Sequence, residues 1–149
     1  DFQPARLHSL IRDVAMRIRS RHKSIEIELD LQPAPPIRAD TVRLVQVFDN
    51  LFENSLKYAP NSKIVISMKK LDEYIRVTFS DHGPGILPEH LPFLFERFYR
   101  VPNQEGKRGT GLGLYICREI IRAHSGLISI ETSPDKGTTF IIELPYHQN

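Results

Sequence analysis

The stretch Gln46-Val47-Phe48-Asp49-Asn50-Leu51-Phe52-Glu53-Asn54-Ser55-Leu56-Lys57-Tyr58-Ala59 reads as one amphipathic helix. At roughly 100° per residue, Arg43, Gln46, Asn50, Asn54 and Lys57 share one side, while Leu44, Val45, Val47, Phe48, Leu51, Phe52 and Leu56 cover the other. Carboxamide oxygens and an ammonium group at successive turns suit a hydrated divalent cation that carries phosphates, because hard cations take oxygen ligands and lysine neutralises phosphate charge. Taken alone, such a stripe is the ordinary solvated face of a surface helix.

Two further signals change that balance. Asp81-His82-Gly83-Pro84-Gly85-Ile86 follows an alternating strand pattern from Tyr74 to Ser80, so Asp81 is projected where a strand turns and glycines let backbone come close to a flat ligand. Gly109-Thr110-Gly111-Leu112-Gly113-Leu114 opens an apolar helix whose first amide groups and dipole favour phosphates. The glycine spacing is GxGxG, which departs from the GxGxxG of dinucleotide folds, and no GxxxxGK[ST] occurs.

Around these signals the chain divides simply. Helical periodicity predicts a first helix from about Ala5 to Arg21, and Ile25, Ile27, Leu29 and Leu31 alternate as a strand that Pro33, Pro35 and Pro36 end. Asp40 is the expected N-cap of the asparagine helix, and Pro60 and Asn61 its stop. Lys63–Leu71 and Glu73–Ser80 read as a hairpin. Between Ile86 and Gly109, short pieces with Pro88, Pro92 and Pro102 read as a mobile loop, a lid over about 96–110. A last helix from about Gly111 to His124, with Gly126 as C-cap, precedes strands near Leu127–Thr132 and Thr138–Leu144. The class is α+β: a two-layer sandwich with a mixed sheet packed on about three helices.

Composition sets the bounds. With 149 residues, 40% hydrophobic and 26% charged, one globular domain over 1–149 is expected. A formal net charge of +2, with basic residues scattered among acids, gives no reason to expect a nucleic-acid partner. The single cysteine, Cys117, lies in an apolar helical pattern and reads as a core residue. No signal peptide or membrane-spanning run is visible; the abrupt start suggests a cytoplasmic fragment whose parent could be anchored in an inner membrane.

The order NLFENSLKYA, DHGPGI, LFERFYR, GTGLGLYI and GTTF closely resembles the catalytic ATP-binding domain of bacterial sensor histidine kinases, in the superfamily of gyrase, heat-shock chaperone, histidine kinase and MutL ATPases. The resemblance covers nearly the whole chain and implies the Bergerat-type ATP-binding fold with an ATP lid. By that resemblance Asn54 coordinates Mg2+ with Asn50 one turn earlier, Lys57 contacts phosphate, and Tyr58 lies beside the nucleotide. Asp81 accepts from adenine's exocyclic amine, which favours adenine over guanine, since a carboxylate does not donate. Gly83, Gly85 and Ile86 belong to the same element. Gly109, Thr110, Gly111, Leu112, Gly113 and Leu114 belong to the phosphate-side element, and Gly137-Thr138-Thr139-Phe140 resembles the final glycine and threonine element, with Thr138 at the cofactor.

Phe95-Glu96-Arg97-Phe98-Tyr99-Arg100 resembles the family's aromatic box, where an arginine can meet the terminal phosphate; Arg97 is the first candidate and Arg100 the second. Hydrolytic relatives carry a water-activating glutamate where this chain has Asn50, and an amide cannot act as that base. The resemblance thus implies weak hydrolysis and transfer of the γ-phosphoryl group from ATP to a histidine on an adjoining phosphoacceptor and dimerisation domain, of the same or a sister chain, and onward to a response regulator. The parent would be a homodimer and the fragment a monomer. None of the six histidines sits in an acceptor motif or an HExxH pair. Two alternatives remain at this level, an anti-sigma-factor-type serine kinase and a nonenzymatic nucleotide-sensing or docking module.

Overall fold

The asparagine helix begins where a side chain replaces a missing backbone partner. In the computed structural model, which describes residues 1–99, 113–133 and 135–146, the Asp40 carboxylate accepts from the Arg43 N–H at 3.2 Å and caps the helix Thr41–Tyr58. In chain order the elements are β1 (Gln3–Ala5), α1 (Leu7–Arg21), β2 (Ile27–Leu31), β3 (Ile37–Ala39), α2 (Thr41–Tyr58), β4 (Ile64–Lys70), β5 (Tyr74–Ser80), a 3-10 helix (Pro88–Phe93), α3 (Gly113–Ala123), β6 (Leu127–Ser133) and β7 (Gly137–Pro145).

Five strands form one sheet in the order β2-β4-β5-β7-β6. β2 runs parallel to β4 and every other pair is antiparallel, so the sheet is mixed as expected. Alternation assigns one face to the core: Ile66 stands opposite Phe79, Phe79 opposite Phe140, and Val77 opposite both Met68 and Ile142, all buried. The apolar sides of the helices close over that face through Leu44, Val47, Phe48, Leu51, Phe52, Cys117, Ile120 and Ile121. Phe79 is the joint between the layers, stacked 5.7 Å from Phe48 and edge-on 5.4 Å from Phe52. The core therefore fixes α2 against β5, the strand that leads to Asp81.

Two local expectations need correction. α1 starts at Leu7 because Gln3–Ala5 is a strand paired antiparallel with Ile37–Ala39; three-residue strands are too short for alternation to reveal them. The cap of α3 is a Schellman turn with Ser125 in the left-handed position at φ 60°, and its N–H and that of Gly126 donate to the Arg122 and Ile121 carbonyls. Gly126 is needed for space, since a Cβ there would overlap the Glu143 carbonyl. His124, just before this turn, is buried and bridges two helices: Nε2 accepts from the Asp40 N–H at 3.0 Å, which leaves Nδ1–H to donate to the Ile120 carbonyl at 2.8 Å. Among the described residues no helix is long and apolar enough to cross a membrane.

Candidate functional site

Along α2 the polar stripe forms as the periodicity requires. Asn50, Asn54 and Lys57 are half-buried, Gln46 and Arg43 are exposed, and Leu51, Phe52 and Ser55 are buried on the other side. Asn50 is tied across to α3, its Nδ2 donating to the Gly113 carbonyl at 3.3 Å. That bond commits the amide nitrogen and leaves the carboxamide oxygen as an acceptor, so Asn50 and Asn54 fit as oxygen ligands for a hard cation whose other ligands come from phosphates and water. Lys57 lies 5.9 Å from the centre of the Tyr58 ring at the end of the same stripe. Glu53 is exposed and lies about 60° around the helix from Asn50.

Asp81 is the most firmly held of the expected site residues. Its Oδ1 accepts from the Gly83 N–H at 3.0 Å and the Thr138 N–H at 3.2 Å, while its own N–H donates to the Thr138 carbonyl at 2.9 Å. The Ser55 hydroxyl, from α2, lies 3.5 Å from Oδ2. One carboxylate oxygen is thus occupied by backbone donors, and among the described residues the other has a single long contact, to Ser55 on α2. Gly83 packs on the end of α2, where a Cβ would come within 2.5 Å of the Ala59 Cβ. Gly85 and Gly137 adopt positive φ of 75° and 85°. Thr132 braces this turn from β6: its hydroxyl donates to the Gly137 carbonyl at 2.9 Å and accepts from the Ile86 N–H at 2.9 Å. Thr138 is buried behind Asp81, with its own hydroxyl 3.1 Å from that of Thr132.

The residues that the sequence reading passed over are those behind the carboxylate, Ser55 and Thr132. Each left a trace in the pattern. Ser55 is a polar residue on the apolar side of α2, and Thr132 occupies the core-facing register of Ile128 and Ile130.

The aromatic box is anchored by Phe95, which meets Phe140 edge-on at 6.4 Å, and by Tyr99, whose hydroxyl lies 2.7 Å from Nδ1 of His90. Arg97 is exposed, with its guanidinium over the rings of Phe98 and Tyr115. Leu114 is half-buried beside the core at the start of α3. Arg100, Gly109, Thr110, Gly111, Leu112 and most of the expected lid lie outside the described residues. Cys117 is buried, with Sγ 3.7 Å from the Val47 carbonyl, and burial pushes its thiol up to about 12. Such a thiol is inert packing.

An asparagine stripe, a strand-end aspartate held by backbone, and a helix beginning at Gly113 thus converge on one side of a mixed sheet. Residues 39–148 match the profile of the histidine kinase-, DNA gyrase B- and HSP90-like ATPase family. The chain belongs to that family. Over 147 residues this ATPase domain is 37% identical to the adaptive-response sensory kinase SasA of Microcystis aeruginosa, covering 95% of the chain and 38% of SasA. The chain therefore spans less than half the length of that relative. Among solved structures it is similar to the catalytic domain of histidine kinase ThkA, with a TM-score of 0.85, 32% identity, and coverage of 98% of this chain and 96% of that one. ThkA in complex with the response regulator protein TrrA matches at a TM-score of 0.81 and 29% identity, over 98% of this chain and 42% of that one. ATP is the ligand that membership of an ATPase family implies, and the mixed sheet packed on helices is the fold of these histidine kinase domains.

Proposed function

We propose that this domain holds Mg-ATP between α2, the Asp81 turn and the start of α3, and donates its γ-phosphoryl group to a histidine on an adjoining dimerisation and phosphoacceptor domain. The observation that carries the reading is the clamped Asp81 carboxylate. Two backbone N–H groups hold Oδ1, so Oδ2 offers a fixed acceptor to the exocyclic amine of adenine beside Ser55. A guanine carbonyl at that place would meet a carboxylate with no donor between them. Asn50 and Asn54 would hold Mg2+, which neutralises phosphate charge, and Lys57 would contact the phosphates. The first turn of α3 adds a positive dipole end.

Phosphoryl transfer asks mainly for positioning and charge neutralisation. Each named residue supplies one of these, and none is a base for water: Asn50 is an amide and Glu53 points elsewhere on the helix. Transfer to an acceptor supplied by another domain is therefore favoured over hydrolysis. Arg97, with Arg100 second, is assigned to the terminal phosphate. The complex of ThkA with a response regulator supports a response regulator as the downstream partner here. ATP as donor puts the reaction on the cytoplasmic side.

Calorimetric titration with ATP and GTP, with and without magnesium, tests this site. Wild type is expected to prefer ATP, Asp81→Asn to lose about 10- to 100-fold in ATP affinity, and Asn54→Ala to lose the magnesium dependence. Equal binding of ATP and GTP by wild type would sink the assignment of Asp81.

A further inference from the structure

Tyr115 stands in the first turn of α3, and two guanidinium groups gather on its ring. Arg97 lies 5.6 Å and Arg118 6.0 Å from the ring centre, and Arg97 is also 5.5 Å from the centre of Phe98. Among the described residues, Arg118 Nε is buried without a hydrogen bond, and its ion pair with Glu119 measures 3.9 Å. A guanidinium drawn to an aromatic face is held near it by cation–π attraction while its N–H groups stay available for a bidentate phosphate contact. Arg97 is exposed, and the ring that carries it sits beside the helix end where phosphates are favoured.

We propose that Tyr115 is a positioning residue: its ring presents the Arg97 guanidinium edge to the terminal phosphate of ATP and thereby sets the preference for ATP over ADP. Arg118 on the same ring adds a second positive charge, which favours the nucleotide with the additional phosphate. The proposal rests on the assignment of Arg97 to the terminal phosphate. Tyr115 itself touches no reacting atom. Lysine could not substitute for Arg97, because an ammonium lacks the planar fork of N–H groups that meets a phosphate in bidentate fashion.

The test is calorimetry of ATP and ADP binding to the 149-residue chain in magnesium. Tyr115→Leu is expected to lower the ATP-to-ADP affinity ratio about threefold to tenfold through weaker ATP binding alone, and Tyr115→Phe to keep it. Arg97→Ala should lower the ratio as much, with Tyr115→Leu adding nothing on that background. Arg97→Lys, at an exposed position that does not threaten folding, should behave like Tyr115→Leu. If Arg97→Ala leaves the ratio unchanged, the terminal-phosphate assignment itself fails. If Arg97→Ala lowers the ratio while Tyr115→Leu and Arg97→Lys do not, charge alone suffices and the positioning role is overturned while the assignment stands. Equal weakening of ATP and ADP by Tyr115→Leu would likewise overturn it, leaving the ring as packing.

Discussion

Asp81 and Arg97 are charged side chains at the two ends of the proposed site, and the chain holds them in opposite ways. Asp81 is fixed by directional bonds from backbone N–H groups of two separate segments, at 3.0 and 3.2 Å. Arg97 is held by the faces of two rings at 5.5 and 5.6 Å. Hydrogen bonds weaken steeply with angle, whereas a cation over a ring tolerates sliding. On the proposed reading, one end of the site is preset to a rigid base edge and the other can follow a phosphate chain.

The glycines repeat the contrast. At the Asp81 end the space where a Cβ would go is filled by the protein's own atoms: at Gly137 by the Asp81 backbone, at Gly83 by Ala59. At the other end, Gly113 has no heavy atom within 4 Å of its Cβ position among the described residues.

The sharpest way to break the comparison is Gly137→Ala. A Cβ would collide with the Asp81 carbonyl and would sit on a backbone of φ 85°, so overlap and left-handed strain add. We expect a loss of about 3 kcal/mol in denaturant unfolding, with ATP binding lost alongside. A loss below about 1 kcal/mol would mean that the Asp81 end yields easily and is not preset.

Gly83→Ala should act in the same direction with less force, about 1 to 2 kcal/mol, because its φ is not positive and the main obstacle is the Ala59 methyl group, with the Ala59 Cα and Asp81 Oδ1 each at 3.3 Å. Removing that methyl tells packing from other causes. The double variant Gly83→Ala with Ala59→Gly should recover part of the lost stability, after allowance for the glycine newly placed at the helix end. If it recovers none, the Gly83–Ala59 contact is not what demands glycine here.

Why these two glycines are needed was not legible in the sequence, although their places were. DHGPGI announces a turn after a strand, but that Gly83 meets Ala59 depends on how α2 lies on β5, which the Phe48, Phe52 and Phe79 contacts decide. The α2 stripe was fully readable because the helical period, the Asp40 cap and the Pro60 stop agree. The positions of the five strands of the main sheet were readable from alternation, but the parallel pairing of β2 with β4 was not, because alternation carries no direction. Ser55 and Thr132 showed themselves as polar residues at core-facing positions, yet only the fold reveals that both brace the Asp81 turn. Arg97 stood out from the aromatic box, whereas its contact with the Tyr115 ring joins two segments that no local pattern connects.

Gly113→Ala is the smallest expected effect on stability and the most informative about the open end. A methyl group there meets no described atom, the backbone lies outside the left-handed region, and alanine is favoured over glycine in a helix. Stability should be unchanged or raised by up to about 1 kcal/mol. If the space beside Gly113 serves the approach of phosphates to the first turn of α3, ATP affinity must fall while the fold is untouched. Paired thermal melts and ATP titrations separate the two. Loss of stability would show that the protein itself fills that space, and unchanged ATP affinity would show that nothing bound there needs it; either result would erase the difference between the two ends that Gly137 and Gly83 define.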